Sequence, residues 1–182
     1  MLPLINLLYN FYLIMDNSQK SWLLYAVIHE CWSSPYTAVW SKWFKLYVVT
    51  NIVPPYEKDT KHNGTSAALE FGICVLEVRH LILLGHSQCA GIQILINRKE
   101  SKQDDFITNW VSIIKTNNCS SQNSDDYTKL ALKQSHQNCM SFPWINKKII
   151  KKELIIHLWY FDIKNGEIFS YSDAQNIYNP LH

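Results

Sequence analysis

The chain has 182 residues, of which 47% are hydrophobic, and its 17 basic and 15 acidic residues leave a net charge of +2. This length and composition exclude a disordered chain and predict one globular domain over residues 1–182 with a sizeable core. The nearly balanced charge offers no strong field for recruiting nucleic acid or an anionic membrane surface.

The N-terminal segment is the first distinctive feature along the chain. Residues 1–15 are largely apolar, which raises a signal peptide or a membrane anchor as explanations. Neither fits well, because no Lys or Arg precedes the run, two Asn residues interrupt it and no small-residue cleavage site follows; a spanning helix also needs about 20 apolar residues. We therefore expect residues 1–20 to form an amphipathic helical arm that packs on a partner subunit.

Three apolar runs, at residues 23–28, 46–49 and 80–84, predict parallel strands in the core. Continuous apolar runs without alternation are typical of strands that are covered on both faces. A helical pattern over residues 66–76 lies between the second and third runs, as expected for the crossover of a βαβ unit. The sequence therefore predicts an α/β fold with a mainly parallel central sheet flanked by helices.

The second half of the chain predicts a loop, a further strand and a hairpin. Residues 116–126, rich in Asn and Ser, predict a long surface loop. Residues 154–160 predict a strand, and residues 164–167 predict a turn into a strand at residues 168–171. One basic cluster precedes the first of these strands and consists of Lys147, Lys148, Lys151 and Lys152. Its apolar flanks favour a helix end that enters a strand over a nucleic-acid patch.

The five cysteines indicate a reducing compartment. Their number is odd and they lack the dense spacing of a secreted disulfide scaffold, so the cytoplasm is the expected location. They are Cys31, Cys74, Cys89, Cys119 and Cys139.

An HxxC pair, His86 and Cys89, follows the third apolar run directly after Gly85. An imidazole nitrogen and a thiolate at the end of a buried strand are a donor set that Zn²⁺ accepts at about 2.0 to 2.3 Å. Two ligands do not complete a site, so at least one more donor must come from elsewhere in the chain. The spacing alone also fits a loop histidine beside a small buried thiol.

Three segments carry a resemblance to a known family: GTSAALEFG at residues 64–72, GHSQCAGI at residues 85–92 and HLWYFDI at residues 157–163. With VPPYE at residues 53–57, and in this order and spacing, they strongly resemble the β-class carbonic anhydrases over residues 22–181. The resemblance implies that family's fold, a Zn²⁺ cofactor and the reversible hydration of carbon dioxide to bicarbonate and a proton. It also implies a homodimer or a higher homo-oligomer.

The resemblance further implies a ligand set for the zinc. In the family the ligands are the cysteine of a CxDSR turn after the first strand and the His and Cys of an HxxC turn, which correspond to Cys31, His86 and Cys89 here. The first turn departs from the family, because Ser33 stands at the Asp position and Pro35 at the Arg position. Serine carries no charge and proline has no side-chain donor, so the catalytic positions stay unassigned and the activity is expected to be reduced or absent.

Further departures surround this turn. Counted from Cys31, the VPPYE block arrives about six residues earlier than the family pattern, and Thr50 stands where the family has an Arg. Ala90 replaces a family glycine, which is a mild change unless φ is positive there, and Gly91 could let the backbone approach the site closely.

The sequence leaves three alternatives open. Cys31 could be a core thiol at a strand end. The chain could be a catalytically impaired homologue that acts as a bicarbonate-binding or partner-binding subunit. It could also be a decayed remnant without a stable fold.

Several other conspicuous side chains are expected to be structural. Helix caps, core aromatic residues, solvent-facing or interface side chains and inert buried thiols are the common roles of these residue types. Accordingly, we expect a cap at Ser66, core packing at His157 and Trp159, a solvent or interface position for His29 and Glu30, exposure of His62 and His136, and buried thiols at Cys74, Cys119 and Cys139.

Overall fold

The computed structural model describes residues 22–26, 43–47, 50–58, 63–97, 106–116, 121 and 123–181. The expected arm at residues 1–20 lies outside these ranges, as do His29, Glu30, Cys31, Ser33, Pro35, His62 and Cys119. The roles expected for them stay predictions.

A six-stranded sheet forms the centre of the described part of the chain. Its strands are β1 (Trp22–Ala26), β2 (Trp43–Tyr47), β3 (His80–His86), β4 (Ile155–Asp162), β5 (Glu167–Ser172) and β6 (Ile177–Pro180). The order across the sheet is β2-β1-β3-β4-β5-β6, in which the first four strands are parallel and the last two pair antiparallel. The mainly parallel sheet and the hairpin into β5 are thereby confirmed, although β2 begins earlier in the sequence than its apolar run predicted.

Five helices flank or connect these strands in the described ranges. They are α1 (Gly64–Glu70), which continues as a π-helical turn over Phe71–Val75, and α2 (Ala90–Ile96), α3 (Phe106–Val111), α4 (Ser124–Ser141) and α5 (Pro143–Ile150). The crossover helix between β2 and β3 is confirmed, and the lysine cluster does lie where α5 ends and the chain turns into β4. None of the helices in these ranges is long and apolar enough to cross a membrane.

The starts of α1 and α4 correct two expectations. The Asn63 Oδ1 atom accepts a hydrogen bond from the Ser66 N–H at 3.1 Å, so Asn63 is the cap and Ser66 lies inside the helix. Asn123 caps α4 in the same way, through the Asp125 N–H at 3.0 Å, so the predicted loop at residues 116–126 is wrong at its end. Asn and Asp satisfy the free N–H groups of a first helical turn as readily as they form loops, which explains the error.

Two apolar clusters hold the helices on the sheet. In the larger cluster, alternate residues of β3 and β4 such as Leu81, Leu83 and Leu158 pack with residues of α1, α4 and α5. The smaller cluster joins the segment after β2 to α2, α3 and α4, and its buried members are Ile52, Cys89, Ile92, Leu95, Val111, Ile114 and Ala131. This second cluster lies directly behind the HxxC turn and fixes its position relative to the sheet.

Exposure of individual side chains confirms some structural expectations and overturns others. Cys139 and Trp159 are buried as expected, and His157 is half-buried. Cys74 is exposed, because Gly72 and Ile73 are the residues of the π-helical turn that face the core. His136 is half-buried, not exposed, because it lies on α4, a helix that packs on the sheet.

Candidate metal centre at the end of β3

The HxxC turn lies at the carboxyl end of the parallel strands, where ligand sites of open α/β sheets form. His86 is the last residue of β3, and Cys89 is the N-cap residue of α2. Between them Gln88 has a φ of 56°, a left-handed conformation that reverses the chain within two residues. Strand, turn and helix start therefore present the imidazole and the thiol on the same short segment.

The orientation of the His86 ring follows from one hydrogen bond. Its Nδ1 atom lies 2.8 Å from the Ser87 carbonyl oxygen. Because a carbonyl oxygen only accepts, Nδ1 carries the proton and the neutral ring keeps the lone pair on Nε2. This is the tautomer that an Nε2 metal ligand requires.

The electrostatics of the pair favour charge on both side chains. Burial by itself would lower the pKa of His86, but its hydrogen bond and charge interaction with Cys89 outweigh burial and raise it. Burial would likewise raise the pKa of Cys89, yet His86 and the backbone N–H groups of Ile92 and Gly91 lower it. A buried thiol with a lowered pKa shifts toward the thiolate, which is the form that binds metal ions.

Close backbone contacts hold the turn in place. A Cβ atom on Gly91 would lie well inside van der Waals distance of the Thr50 Cγ2 atom, and one on Gly85 would lie 2.8 Å from the Thr128 Cγ2 atom. Gly91 therefore makes room for the Thr50 side chain, while the close approach of its backbone to the metal site stays a prediction. Ala90 lies in α2 and is not among the described residues with positive φ, so its replacement of glycine is harmless as expected.

Two buried residues after β2, Thr50 and Asn51, lie next to the turn. Thr50 is 1% exposed and has a φ of 58°, which is unusual for a β-branched residue. Asn51 donates from Nδ2 to the Thr128 carbonyl oxygen at 3.2 Å, while its buried Oδ1 atom has no hydrogen-bond partner. No sequence signal marked Asn51, since its hydrogen bond to Thr128 joins segments that are distant in sequence.

The donor set fits zinc in part. His86 Nε2 and the Cys89 thiolate are nitrogen and sulfur donors of the kind that Zn²⁺ prefers. Within the described ranges, no group of three or more His, Cys, Asp or Glu side chains could hold a metal ion. The third expected ligand, Cys31, lies outside those ranges, so the complete ligand set stays a prediction.

Comparisons of the sequence with a family profile and with known proteins point to the same family. The sequence profile of the family described as "Carbonic anhydrase" matches residues 38–168. "Beta carbonic anhydrase 3" of Arabidopsis thaliana is 32% identical over 131 residues, which cover 65% of this chain and 50% of that protein. A "Carbonic anhydrase" of Helicobacter pylori is 24% identical over 154 residues, covering 75% of this chain and 70% of that protein. The chain spans about half the length of the Arabidopsis relatives it matches.

Solved structures with the same fold agree. The β-carbonic anhydrase CcaA superposes with a TM-score of 0.74 at 20% identity, covering 94% of this chain and 88% of that chain. One of two tetrameric β-carbonic anhydrases from Sordaria macrospora gives a TM-score of 0.64 at 21% identity, covering 88% of this chain and 84% of that chain. At such identities the likeness shows a shared fold.

Proposed function

This chain belongs to the carbonic anhydrase family, in its β class, and from that membership we propose that it is a zinc-dependent enzyme that interconverts carbon dioxide with bicarbonate and a proton. The observation that carries the proposal is the His86–Cys89 pair at the carboxyl end of β3, in which His86 Nδ1 donates to the Ser87 carbonyl oxygen and Nε2 is left as the ring nitrogen that can bind a metal ion.

The residues proposed to hold the zinc are His86 through Nε2, Cys89 through its sulfur and Cys31 as the third ligand. A zinc ion bound there would supply a Lewis acid that lowers the pKa of water toward about 7 and so provides a nucleophile near neutral pH. The chain itself contributes the fixed ring orientation of His86 and an apolar wall behind Cys89, formed by the cluster around Ile92. Both restrict the freedom of the two ligands before any metal arrives.

We propose a reduced rate, because Ser33 and Pro35 replace the aspartate and the arginine that the family places beside its first ligand. A serine hydroxyl is uncharged, and proline has no side-chain donor to orient a neighbour. Loss of such supporting groups typically costs about 10-fold to 100-fold in activity. The same replacement supports the second candidate, a catalytically impaired homologue that binds bicarbonate or a partner.

One experiment separates these two candidates. The purified chain is assayed for zinc content and for carbon dioxide hydration by stopped flow, beside a His86→Ala variant and a matched His136→Ala control. His136 is a half-buried histidine on α4 that is not part of the HxxC pair. We expect about one zinc per chain and measurable hydration, both lost in His86→Ala and kept in the control.

The outcomes are distinct. Zinc without hydration would reject the enzyme and support the binding subunit. No zinc in the folded wild type would reject both the cofactor and the enzyme. A chain without a cooperative unfolding transition would point to the decayed remnant.

Assembly and location complete the proposal. A homodimer or higher homo-oligomer is supported by the family membership, by the tetramers described for the Sordaria macrospora proteins and by the apolar residues 1–15. The cytoplasm stays the proposed location because the five cysteines lack the pattern of a disulfide scaffold. The molar mass from light scattering, with and without residues 1–20, tests the arm. An unchanged mass after the deletion would reject its role in assembly.

A further inference from the structure

Ser87 lies between the two proposed zinc ligands and uses all of its backbone polar groups there. It is 5% exposed. Its N–H donates to the Phe161 carbonyl oxygen at 2.9 Å, and its carbonyl oxygen accepts from His86 Nδ1 at 2.8 Å. Its hydroxyl oxygen accepts from the Ile163 N–H at 2.9 Å.

These bonds continue the contact between β3 and β4 beyond the end of the ladder. The parallel register ends at the pair His86 and Phe161. The bonds from Ser87 to Phe161 and Ile163 then tie the first residue of the turn to the residues that end β4. The Ser87 carbonyl that accepts from His86 Nδ1 is therefore held against the sheet by two hydrogen bonds of Ser87. One of them uses the backbone N–H and the other uses the side-chain hydroxyl.

We propose that Ser87 is a positioning residue of the metal centre, whose hydroxyl anchors the HxxC turn to the end of β4 so that its carbonyl holds the His86 proton on Nδ1. The inference rests on the proposed function for its zinc ligand, but the hydrogen bonds that carry it exist in the metal-free chain. Residues that orient a metal-bound histidine typically affect metal affinity about 10-fold to 100-fold.

The test uses the full chain with three substitutions. Ser87→Ala removes the hydroxyl, and Ser87→Thr keeps it. Ser141→Ala is the matched control, because the Ser141 hydroxyl also accepts from a backbone N–H, that of Tyr56 at 2.8 Å, on the far end of α4. Zinc affinity is measured by competition with a chelator, and the His86 tautomer by ¹⁵N NMR of the metal-free chain.

We expect zinc affinity to fall about tenfold in Ser87→Ala and to stay within about twofold of wild type in Ser87→Thr and Ser141→Ala. The ¹⁵N shifts should show the Nδ1–H tautomer in wild type and Ser87→Thr, and a mixture of tautomers in Ser87→Ala. Unchanged affinity and tautomer in Ser87→Ala would overturn the inference. An equal loss in the Ala and Thr variants would overturn it as well, since volume and not the hydroxyl would then matter.

Failure of this inference is distinguishable from failure of the proposed function. If the wild type binds zinc but does not hydrate carbon dioxide, the proposed enzymatic activity is rejected. The proposed role of Ser87 is not affected by that result. If wild type binds no zinc, the tautomer in the metal-free variants still decides for or against Ser87.

Discussion

The contact between Gly91 and Thr50 allows a sharp prediction about how the segment after β2 supports the HxxC turn. In Gly91→Ala the new methyl group would overlap the Thr50 Cγ2 atom, while the other near atoms, Thr50 Cβ and N, lie 3.5 and 3.7 Å away. One methyl group is therefore the whole obstacle. Thr50 is fully buried and cannot swing into solvent, so the backbone must shift.

Overpacking a closely packed interior by a methyl group costs about 1 to 3 kcal/mol. For a domain of this size that loss lowers the melting temperature by about 2 to 4 °C per kcal/mol. Thr50→Ser removes Cγ2 and should restore most of the stability to Gly91→Ala, which gives a coupling energy of at least about 1 kcal/mol in a double-mutant cycle.

Urea denaturation of the four proteins of this cycle measures the coupling. Gly64→Ala is the control, because a Cβ on Gly64 meets nothing within 4 Å and the residue begins α1. The control should be neutral or slightly stabilising. Additive effects of Gly91→Ala and Thr50→Ser would refute the contact, and with it the claim that this segment braces the turn.

Three further predictions follow from single features. Gln88→Gly should stabilise the chain by about 1 kcal/mol, because its φ of 56° is left-handed, and a lower melting temperature would contradict this. Burial first and the neighbouring His80 second lower the pKa of His157 from 6.5 to about 4, so the folded chain keeps it neutral while the unfolded chain takes up a proton. The contribution of His157 to the free energy of unfolding is therefore complete above pH 6.5 and is lost as the pH drops toward 4, by about 2 kcal/mol between pH 7 and 5. In urea titrations, His157→Asn should flatten this dependence of stability on pH. An equal slope in both proteins would reject the assignment. Restoring the family pair with Ser33→Asp and Pro35→Arg should raise the hydration rate about 10-fold or more without changing zinc content, and an unchanged rate would show that those positions do not limit it.

Besides burial, the pairing of His157 with His80 helps to keep His157 neutral. The His80 Nδ1 and His157 Nε2 atoms lie 3.0 Å apart, and the ring centroids are 5.3 Å apart with planes 20° from parallel. One ring donates to the lone pair of the other, which satisfies two half-buried nitrogens with a single shared proton. A proton on His157 would place a charge where water is partly excluded, and protonation of both rings would place two positive charges in contact.

The sequence predicted those parts of the fold that local patterns determine. The apolar run of β3 gave a correct strand because that strand lies between β1 and β4 and is covered on both faces. The prediction that Cys74 is buried was wrong, because the helical pattern cannot show where α1 changes to a π-helical turn and rotates the following side chains. The start of α4 was missed because the same Asn and Asp residues serve loops and helix caps.

The site was predictable only where its residues are close in sequence. His86 and Cys89 share one turn, so their spacing revealed them. Thr50 meets Gly91 through the fold, and Ser87 gains its role from bonds to the end of β4, neither of which leaves a pattern in the sequence. Cys31 rests on the family resemblance and stays a prediction.

The convergence of Cys31, His86 and Cys89 on one metal ion is the central claim, and zinc K-edge X-ray absorption of the zinc-loaded chain tests it most directly. We expect two sulfur neighbours at about 2.3 Å and at least one nitrogen neighbour at about 2.0 Å, with one sulfur lost in Cys31→Ser. A spectrum with a single sulfur neighbour in the wild type, unchanged by Cys31→Ser, would contradict it.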